Sequence, residues 1–199
     1  TGTIIKRIPI HIEEPTGGGH AEWPVSVGIP FPDGAFRRGR HVRLFDDTGM
    51  PVLAQARCMA VWRPRELHIK WLLVDWNLTA GARDTRTFFL EYDHETPGAP
   101  IAPTLARYQD DGTICINTGL MDVIMDPGSP GIISRCLYRT EYGMEDVATR
   151  ICLYITDGDG RSFRSARNVQ PTRMEIEDAG PIRATVRIEG WHVDMEGVQ

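Results

Sequence analysis

Five tryptophans and a run of arginines are the residues of this chain best suited to ligand binding. An indole offers a flat apolar face to the CH groups of a sugar ring, and a guanidinium binds carboxylates through paired N–H donors. Trp62 and Trp71 lie in apolar strand-like segments, which predicts that they belong to the core. If a sugar is bound, we expect Trp23, Arg63 and Arg65 to contact it first. The other two tryptophans are Trp76 and Trp191. The arginine run consists of Arg37, Arg38, Arg40 and Arg43, and its composition is typical of a solvated loop.

Catalytic groups are harder to find. Paired carboxylates occur at 46–47, 110–111 and 157–159, each in a glycine-containing segment where Asp typically bonds the backbone of a turn. The six histidines are dispersed. Residues 157–160 open like a calcium loop, but Asn168 stands at the twelfth position, where such a loop carries Glu. We therefore predict a hairpin turn there, and no catalytic residue, metal ligand or cofactor in the chain.

The four cysteines form no CxxC pair, so a zinc ribbon or thioredoxin-type site is excluded. Cys136 and Cys152 lie in successive strand-like segments and could face each other as a disulfide. Buried free thiols are the commoner alternative for scattered cysteines. Asn77 begins a glycosylation sequon, Asn77-Leu78-Thr79, and is a candidate modification site.

Composition places the 199 residues among globular proteins: 41% are hydrophobic, 25% are charged and the net charge is −5. Neither half of the chain is basic, so nucleic acid is not an expected partner. No apolar run approaches the length of about 20 residues that crosses a bilayer, so no membrane span is expected.

The elements that must position these residues are strands. Alternating or apolar segments bounded by Gly, Pro and Asp turns recur along the whole chain, and no segment sustains a helical period, which predicts an all-β protein. Prolines at 97, 100 and 103 interrupt the pattern. We therefore expect a β domain over 1–95, a Pro-rich connector over 96–105, and a second β domain over 106–199. The alternation at 182–188 runs almost to Gln199, so this second domain is expected to be incomplete.

Four segments of the first domain, residues 24–36, 42–52, 55–57 and 70–75, carry a resemblance. They resemble the N-terminal RIFT-barrel domain of the exo-rhamnogalacturonan-lyase-like and YetA-like proteins. Residues 116–120 are similar to the start of the β-sandwich that follows this barrel. The resemblance implies a RIFT-type β-barrel followed by an antiparallel β-sandwich, possible glycan contact, and lyase chemistry in a helical toroid beyond these residues.

One segment departs from the family pattern. Trp62 and Trp71 are separated by eight residues, 63–70, where the family has a tight Asp-Gly-Ser turn. The hairpin is longer and more basic, which leaves open any ligand contact that the family assigns to that turn.

We therefore expect a non-catalytic β module of a secreted carbohydrate-active protein, extracellular or at the cell surface. Its expected partner is a polysaccharide or oligosaccharide, with an acidic one as an open option. One alternative is a structural subunit that forms oligomers or fibres through the edge strands at 3–12 and 181–195. Another is a fragment of an active polysaccharide lyase whose catalytic part lies elsewhere.

Overall fold

The computed structural model describes residues 6–65, 67–96, 98, 103–129, 131–165 and 173–194. All regular elements in these residues are strands, which confirms the all-β prediction. The chain divides into two compact units, residues 1–102 and 103–199. Of the predicted connector at 96–105, residues 97 and 99–102 lie outside the described residues. Among the described residues, no helix is long and apolar enough to cross a membrane.

The first unit contains two antiparallel sheets. One has the strand order β1-β7-β3-β4 and the other the order β2-β6-β5. The strands are β1 (Lys6–Glu13), β2 (His20–Pro30), β3 (His41–Phe45), β4 (Pro51–Val52), β5 (Ala54–Val61), β6 (Ile69–Ala80) and β7 (Thr85–His94).

A single hydrophobic cluster holds these two sheets together. In β6, Val74, Trp76 and Leu78 are buried at alternate positions, as the two-residue period of a strand requires. Trp76 is completely buried, and its ring centroid lies 5.3 Å from that of Phe88 in the other sheet. Leu44 and Leu90 add further buried side chains from β3 and β7. The core of the first unit therefore lies between its two sheets.

The second unit has sheets with the orders β12-β11-β10-β9-β8, β13-β14-β17 and β15-β16. Its strands are β8 (Ala106–Tyr108), β9 (Ile114–Asn117), β10 (Met121–Met125), β11 (Ile133–Thr140), β12 (Gly143–Ile151), β13 (Tyr154–Thr156), β14 (Ser162–Ser165), β15 (Arg173–Ala179), β16 (Ala184–Glu189) and β17 (His192–Val193).

Two predictions for this unit have clear outcomes. The hairpin expected around 157–160 is confirmed, because β13 and β14 pair and Gly160 N–H donates to the Asp157 carbonyl at 3.1 Å. The single strand expected over 181–195 is wrong. That segment is divided between β16, which pairs with β15, and β17, which pairs with β14, and residue 195 lies outside the described residues.

Candidate functional site

The β5–β6 hairpin of the first unit presents two exposed indoles. Trp62 and Trp71 are 40% and 41% exposed, so the prediction that they belong to the core is wrong. Bulges after Cys58 and Ala60 shift the register of β5 against β6, which breaks the simple alternation assumed for these strands. Trp71 is paired with Ala60, two residues before Trp62, so the two indoles occupy neighbouring positions of the hairpin.

Both indoles lie close against the main chain of β2 or of the loop that follows it. The Trp62 Nε1–H donates to the Phe31 carbonyl at 2.9 Å. Trp71 lies over Gly28 of the adjacent strand, where a Cβ would stand only 2.6 Å from Nε1. Glycine is therefore the residue that lets this indole lie close against the sheet.

The same hairpin carries three cationic side chains, one of which contacts an indole. The Lys70 ammonium lies 4.8 Å from the centre of the Trp62 ring, within the range of a cation–π contact. Arg63 and Arg65 are exposed in the turn of the hairpin, and Arg63 lies 3.6 Å from the Asp33 carboxylate. We call Trp62, Arg63, Arg65, Lys70 and Trp71 the tryptophan hairpin face.

The loop after β2 holds this hairpin in place. Phe31 N–H donates to the Lys70 carbonyl at 3.0 Å, and Ile69 N–H donates to the Phe36 carbonyl at 2.8 Å. The His68 Nδ1 lies 3.4 Å from Asp33. Residues 31–36, singled out from the sequence, therefore support the hairpin as well as end β2.

Trp23, the other residue expected to bind sugar, lies at the far end of the same sheet. It is paired with Leu78, whereas Trp71 is paired with Pro30. Trp23 and Pro30 are seven positions apart along β2, about 23 Å at about 3.3 Å per residue. The structure therefore places Trp23 apart from Arg63 and Arg65.

Trp23 is 55% exposed beside a cleft of about 300 Å³. Its ring centroid lies 4.6 Å from that of His20, whose Nε2 is 3.5 Å from the Glu14 carboxylate. We call this the Trp23 cleft. It is lined by Ile12, Glu13, Glu14, Pro15, Thr16, His20, Trp23, Pro24, Val25, Leu78 and Ala80.

Glu14 is the structural anchor of this cleft, and sequence reasoning missed it. Its carboxylate accepts from the Thr16 hydroxyl, from the backbone N–H groups of Gly17 and Arg83 at 2.8 Å each, and from that of Thr16 at 2.9 Å. The hydroxyl of Thr16 and then the N–H of Arg83 are the main causes that lower the pKa of Glu14 to about 2. The only signal in the sequence was a Glu placed just before the glycine-rich loop at 17–19.

The predicted turn role is confirmed for one carboxylate of each pair, namely Asp46, Asp111 and Asp157. Asp46 accepts from the Thr48 hydroxyl at 2.7 Å and from Met50 N–H at 2.8 Å, and these bonds lower its pKa. Asp111 accepts from Thr113 N–H at 2.9 Å, and this bond lowers the pKa of Asp111. In the same way, the bond from Arg161 N–H to Asp157 lowers the pKa of Asp157. Each of these three carboxylates accepts hydrogen bonds from the backbone of its own turn.

Metal-ligating groups are sparse in the described part of the chain. There, no cluster of three or more His, Cys, Asp or Glu side chains could hold a metal ion. The histidines are less dispersed than the sequence indicated, since His41 and His94 pair across β3 and β7. His94 Nε2 lies 3.4 Å from Glu91. Asn168, which bore on the calcium interpretation, lies outside the described residues.

All four cysteines are free, so the disulfide that the sequence left possible between Cys136 and Cys152 does not form. Cys136 is paired with Ala148 in β12, whereas Ile151, the residue before Cys152, is paired with Ile133. The register therefore places the two thiols at different levels along the strands. The structure therefore agrees with the alternative interpretation of the sequence, in which the cysteines are free thiols.

The remaining candidates are surface residues. Asn77 is exposed in β6, as a glycosylation site must be. In the arginine run, Arg40 lies 2.9 Å from Glu95, and Arg43 donates to the Thr96 hydroxyl at 3.2 Å. These arginines bind neighbouring parts of their own unit.

The chain matches no protein-family model and no curated protein. The candidate sites of this protein are therefore supported by their geometry alone.

Proposed function

We propose that this chain is a non-catalytic β module of a secreted carbohydrate-active protein, and that it contacts an acidic glycan through the tryptophan hairpin face. The observation that carries the proposal is the pair of half-exposed indoles held by main-chain contacts. Apolar residues that are exposed together are more informative than one exposed alone, and these two indoles occupy neighbouring positions of one hairpin. Since Trp62 and Trp71 are fixed before any ligand arrives, binding would cost little side-chain entropy.

The charges of the hairpin support an acidic ligand. The hairpin carries three cations, Arg63 and Arg65 in its turn and Lys70 at the start of β6, and the guanidinium groups suit the paired oxygens of a uronate. Arg63 lies 3.6 Å from the Asp33 carboxylate, and an exposed pair of this kind contributes little. An extended polysaccharide with carboxylates would satisfy the indoles and the cations together.

The same proposal includes the architecture. Residues 1–95 would correspond to a RIFT-type barrel, and residues from 106 onward to a β-sandwich, as in the exo-rhamnogalacturonan-lyase-like proteins. Two antiparallel sheets around one core in the first unit support this assignment. The expected location is extracellular or at the cell surface.

Assembly through strand edges has less support. β1 lies at the edge of its sheet, but it contains Pro9, which has no N–H to donate to a neighbour. β12 and β5, also at edges, carry bulges at Val147 and around Met59. Proline and bulges are devices by which proteins prevent edge-to-edge pairing.

The proposal is tested by calorimetric titration of the full chain with an oligogalacturonate and with a neutral cello-oligosaccharide of equal length. We expect saturable binding of the acidic ligand only, weakened by added salt because exposed charges are screened. Trp62→Ala and Trp71→Ala should each weaken it about tenfold or more, as for central aromatic contacts. The matched control is Trp191→Ala, which removes an indole of similar exposure, 54%, from the second unit.

Two outcomes would contradict the proposal. Equal binding of the neutral oligosaccharide would show that the cations do not contribute to affinity. Unchanged affinity in both hairpin variants would show that the two indoles do not contribute. Release of an unsaturated, ultraviolet-absorbing product by the chain alone would instead favour an active lyase.

A further inference from the structure

The Trp23 cleft has the features of a small-ligand site that is separate from the tryptophan hairpin face. Its floor is apolar, with Ile12 and Val25 partly buried and Leu78 and Ala80 buried. One aromatic ring and a few polar groups converge on this floor. Its volume of about 300 Å³ lies at the lower end of the range for ligand pockets, which suits one ring and not a chain of rings.

A bulge in β2 positions the aromatic wall. The register of β2 against β6 shifts between His20 and Trp23. Within this bulge Glu22 has φ of 50°, a left-handed conformation that is uncommon outside glycine, and its N–H donates to the Thr79 hydroxyl at 3.2 Å. Bulges often re-aim side chains beside binding sites. Here the bulge lies immediately before an indole that remains more than half exposed.

The polar wall is held rigidly as well. Glu14, whose carboxylate is saturated by the loop at 16–17 and by Arg83, stands 3.5 Å from His20 Nε2. Because Nε2 faces this carboxylate, Nδ1 is the ring nitrogen that remains for a ligand. His20 also lies against Trp23, so the imidazole and the indole form one continuous wall.

The charge of the cleft separates it from the hairpin. The buried carboxylate of Glu14 is part of its lining, and the described lining contains no lysine or arginine. An anionic ligand would meet repulsion from Glu14 here, whereas a hydroxyl group could bond His20.

We infer that the Trp23 cleft binds one uncharged pyranose ring, with its apolar face against the indole of Trp23 and its hydroxyls toward His20. A pyranose combines a CH face with a polar edge, as this lining requires. A purely aromatic ring would leave the polar groups of the cleft without partners.

The test is an NMR titration of the ¹⁵N-labelled full chain with methyl glucopyranoside, methyl galactopyranoside, sodium glucuronate and benzyl alcohol. Each is taken to about 100 mM, past the weak affinity that one small ring can reach. We expect a saturable shift of the Trp23 indole N–H with at least one of the neutral glycosides. Glucuronate should not compete.

Variants localise the effect. Trp23→Ala and His20→Ala should each weaken binding about tenfold. Trp191→Ala should leave it unchanged, because it removes an indole of similar exposure, 54%, that lines neither proposed site. Trp23 and His20 are exposed or half-buried, so both variants should fold, and the dispersion of the spectrum checks this.

The inference is overturned if neither glycoside gives a saturable shift, if benzyl alcohol or glucuronate binds better than both, or if Trp23→Ala binds unchanged. None of these results affects the proposal for the tryptophan hairpin face, because the oligogalacturonate titration tests that proposal separately.

Discussion

The indole of Trp71 lies so close to Gly28 across the β2–β6 pair that a Cβ at residue 28 would stand 2.6 Å from its Nε1. No side chain larger than hydrogen fits beneath the ring in this position. The position of the half-exposed indole therefore depends on the glycine of the neighbouring strand. Substitution of either Trp71 or Gly28 tests the glycan proposal.

The first prediction concerns Gly28→Ala. The added methyl group must displace the indole, because a contact of 2.6 Å is far inside van der Waals distance. We expect the protein to fold with a loss of about 1–3 kcal/mol, typical of overpacking, and to bind oligogalacturonate more weakly. Chemical denaturation and the shift of the Trp71 indole N–H measure the two effects. Gly81→Ala is the matched control, since nothing lies within 4 Å of its Cβ position. Equal effects of both substitutions would show that the contact has no special role.

The second prediction separates the hydrogen bond of Trp62 from its ring. Trp62→Phe keeps an aromatic face but removes the Nε1–H that donates to the Phe31 carbonyl. We expect a loss of about 0.5–1.5 kcal/mol in the free energy of unfolding, the usual net value of one hydrogen bond. Glycan affinity should fall less than in Trp62→Ala. Identical affinities in these two variants would mean that the aromatic face contributes nothing.

The third prediction concerns pH. The folded pKa of Glu14 is lowered to about 2, chiefly by the Thr16 hydroxyl and the Arg83 N–H. Its contribution to stability is therefore fully present above the ordinary pKa near 4.5 and is lost as the pH falls from there toward 2. Wild type should lose stability across this window, and Glu14→Gln should lose less. Thermal unfolding at a series of pH values measures the slopes, and equal slopes in the two proteins would refute the assignment. Asp46, in the same unit, also has a lowered pKa and leaves a residual slope in both.

The fourth prediction concerns the core of the first unit. Trp76 is completely buried against Phe88, so Trp76→Ala leaves a large cavity and should cost about 3–5 kcal/mol. Trp191→Ala removes an exposed indole and should change stability by no more than about 0.5 kcal/mol. Urea denaturation compares the two proteins. A small effect at Trp76 would be inconsistent with the core described for β6.

The fifth prediction concerns the thiols. Because all four cysteines are free, denatured protein prepared without reductant should react with four equivalents of a thiol reagent. Added reductant should leave the thermal midpoint unchanged, since there is no cross-link whose loss enlarges the entropy of the unfolded chain. If only two thiols react and reductant lowers the thermal midpoint, the protein contains a disulfide, and Cys136 and Cys152 are the candidate pair.

The sequence alone determined those features that depend on neighbouring residues. Strands follow from alternation and β propensity, and the turns at Asp46, Asp111 and Asp157 follow from a carboxylate that bonds the backbone a few residues ahead. These interactions are local, so reading along the chain finds them. The all-β class and the hairpin of β13 and β14 were accessible for this reason.

Only the tertiary structure decided which face each side chain occupies and which distant residues meet. Bulges in β5 and β12 change the register, so Trp62 and Trp71 emerge at the surface and Cys136 lies opposite Ala148. Trp23 and Arg63 belong to opposite ends of one sheet, and Glu14 meets Arg83 across 69 residues of chain. A shift of one residue in pairing reverses the face of every side chain beyond it, and that shift depends on contacts between strands far apart in sequence.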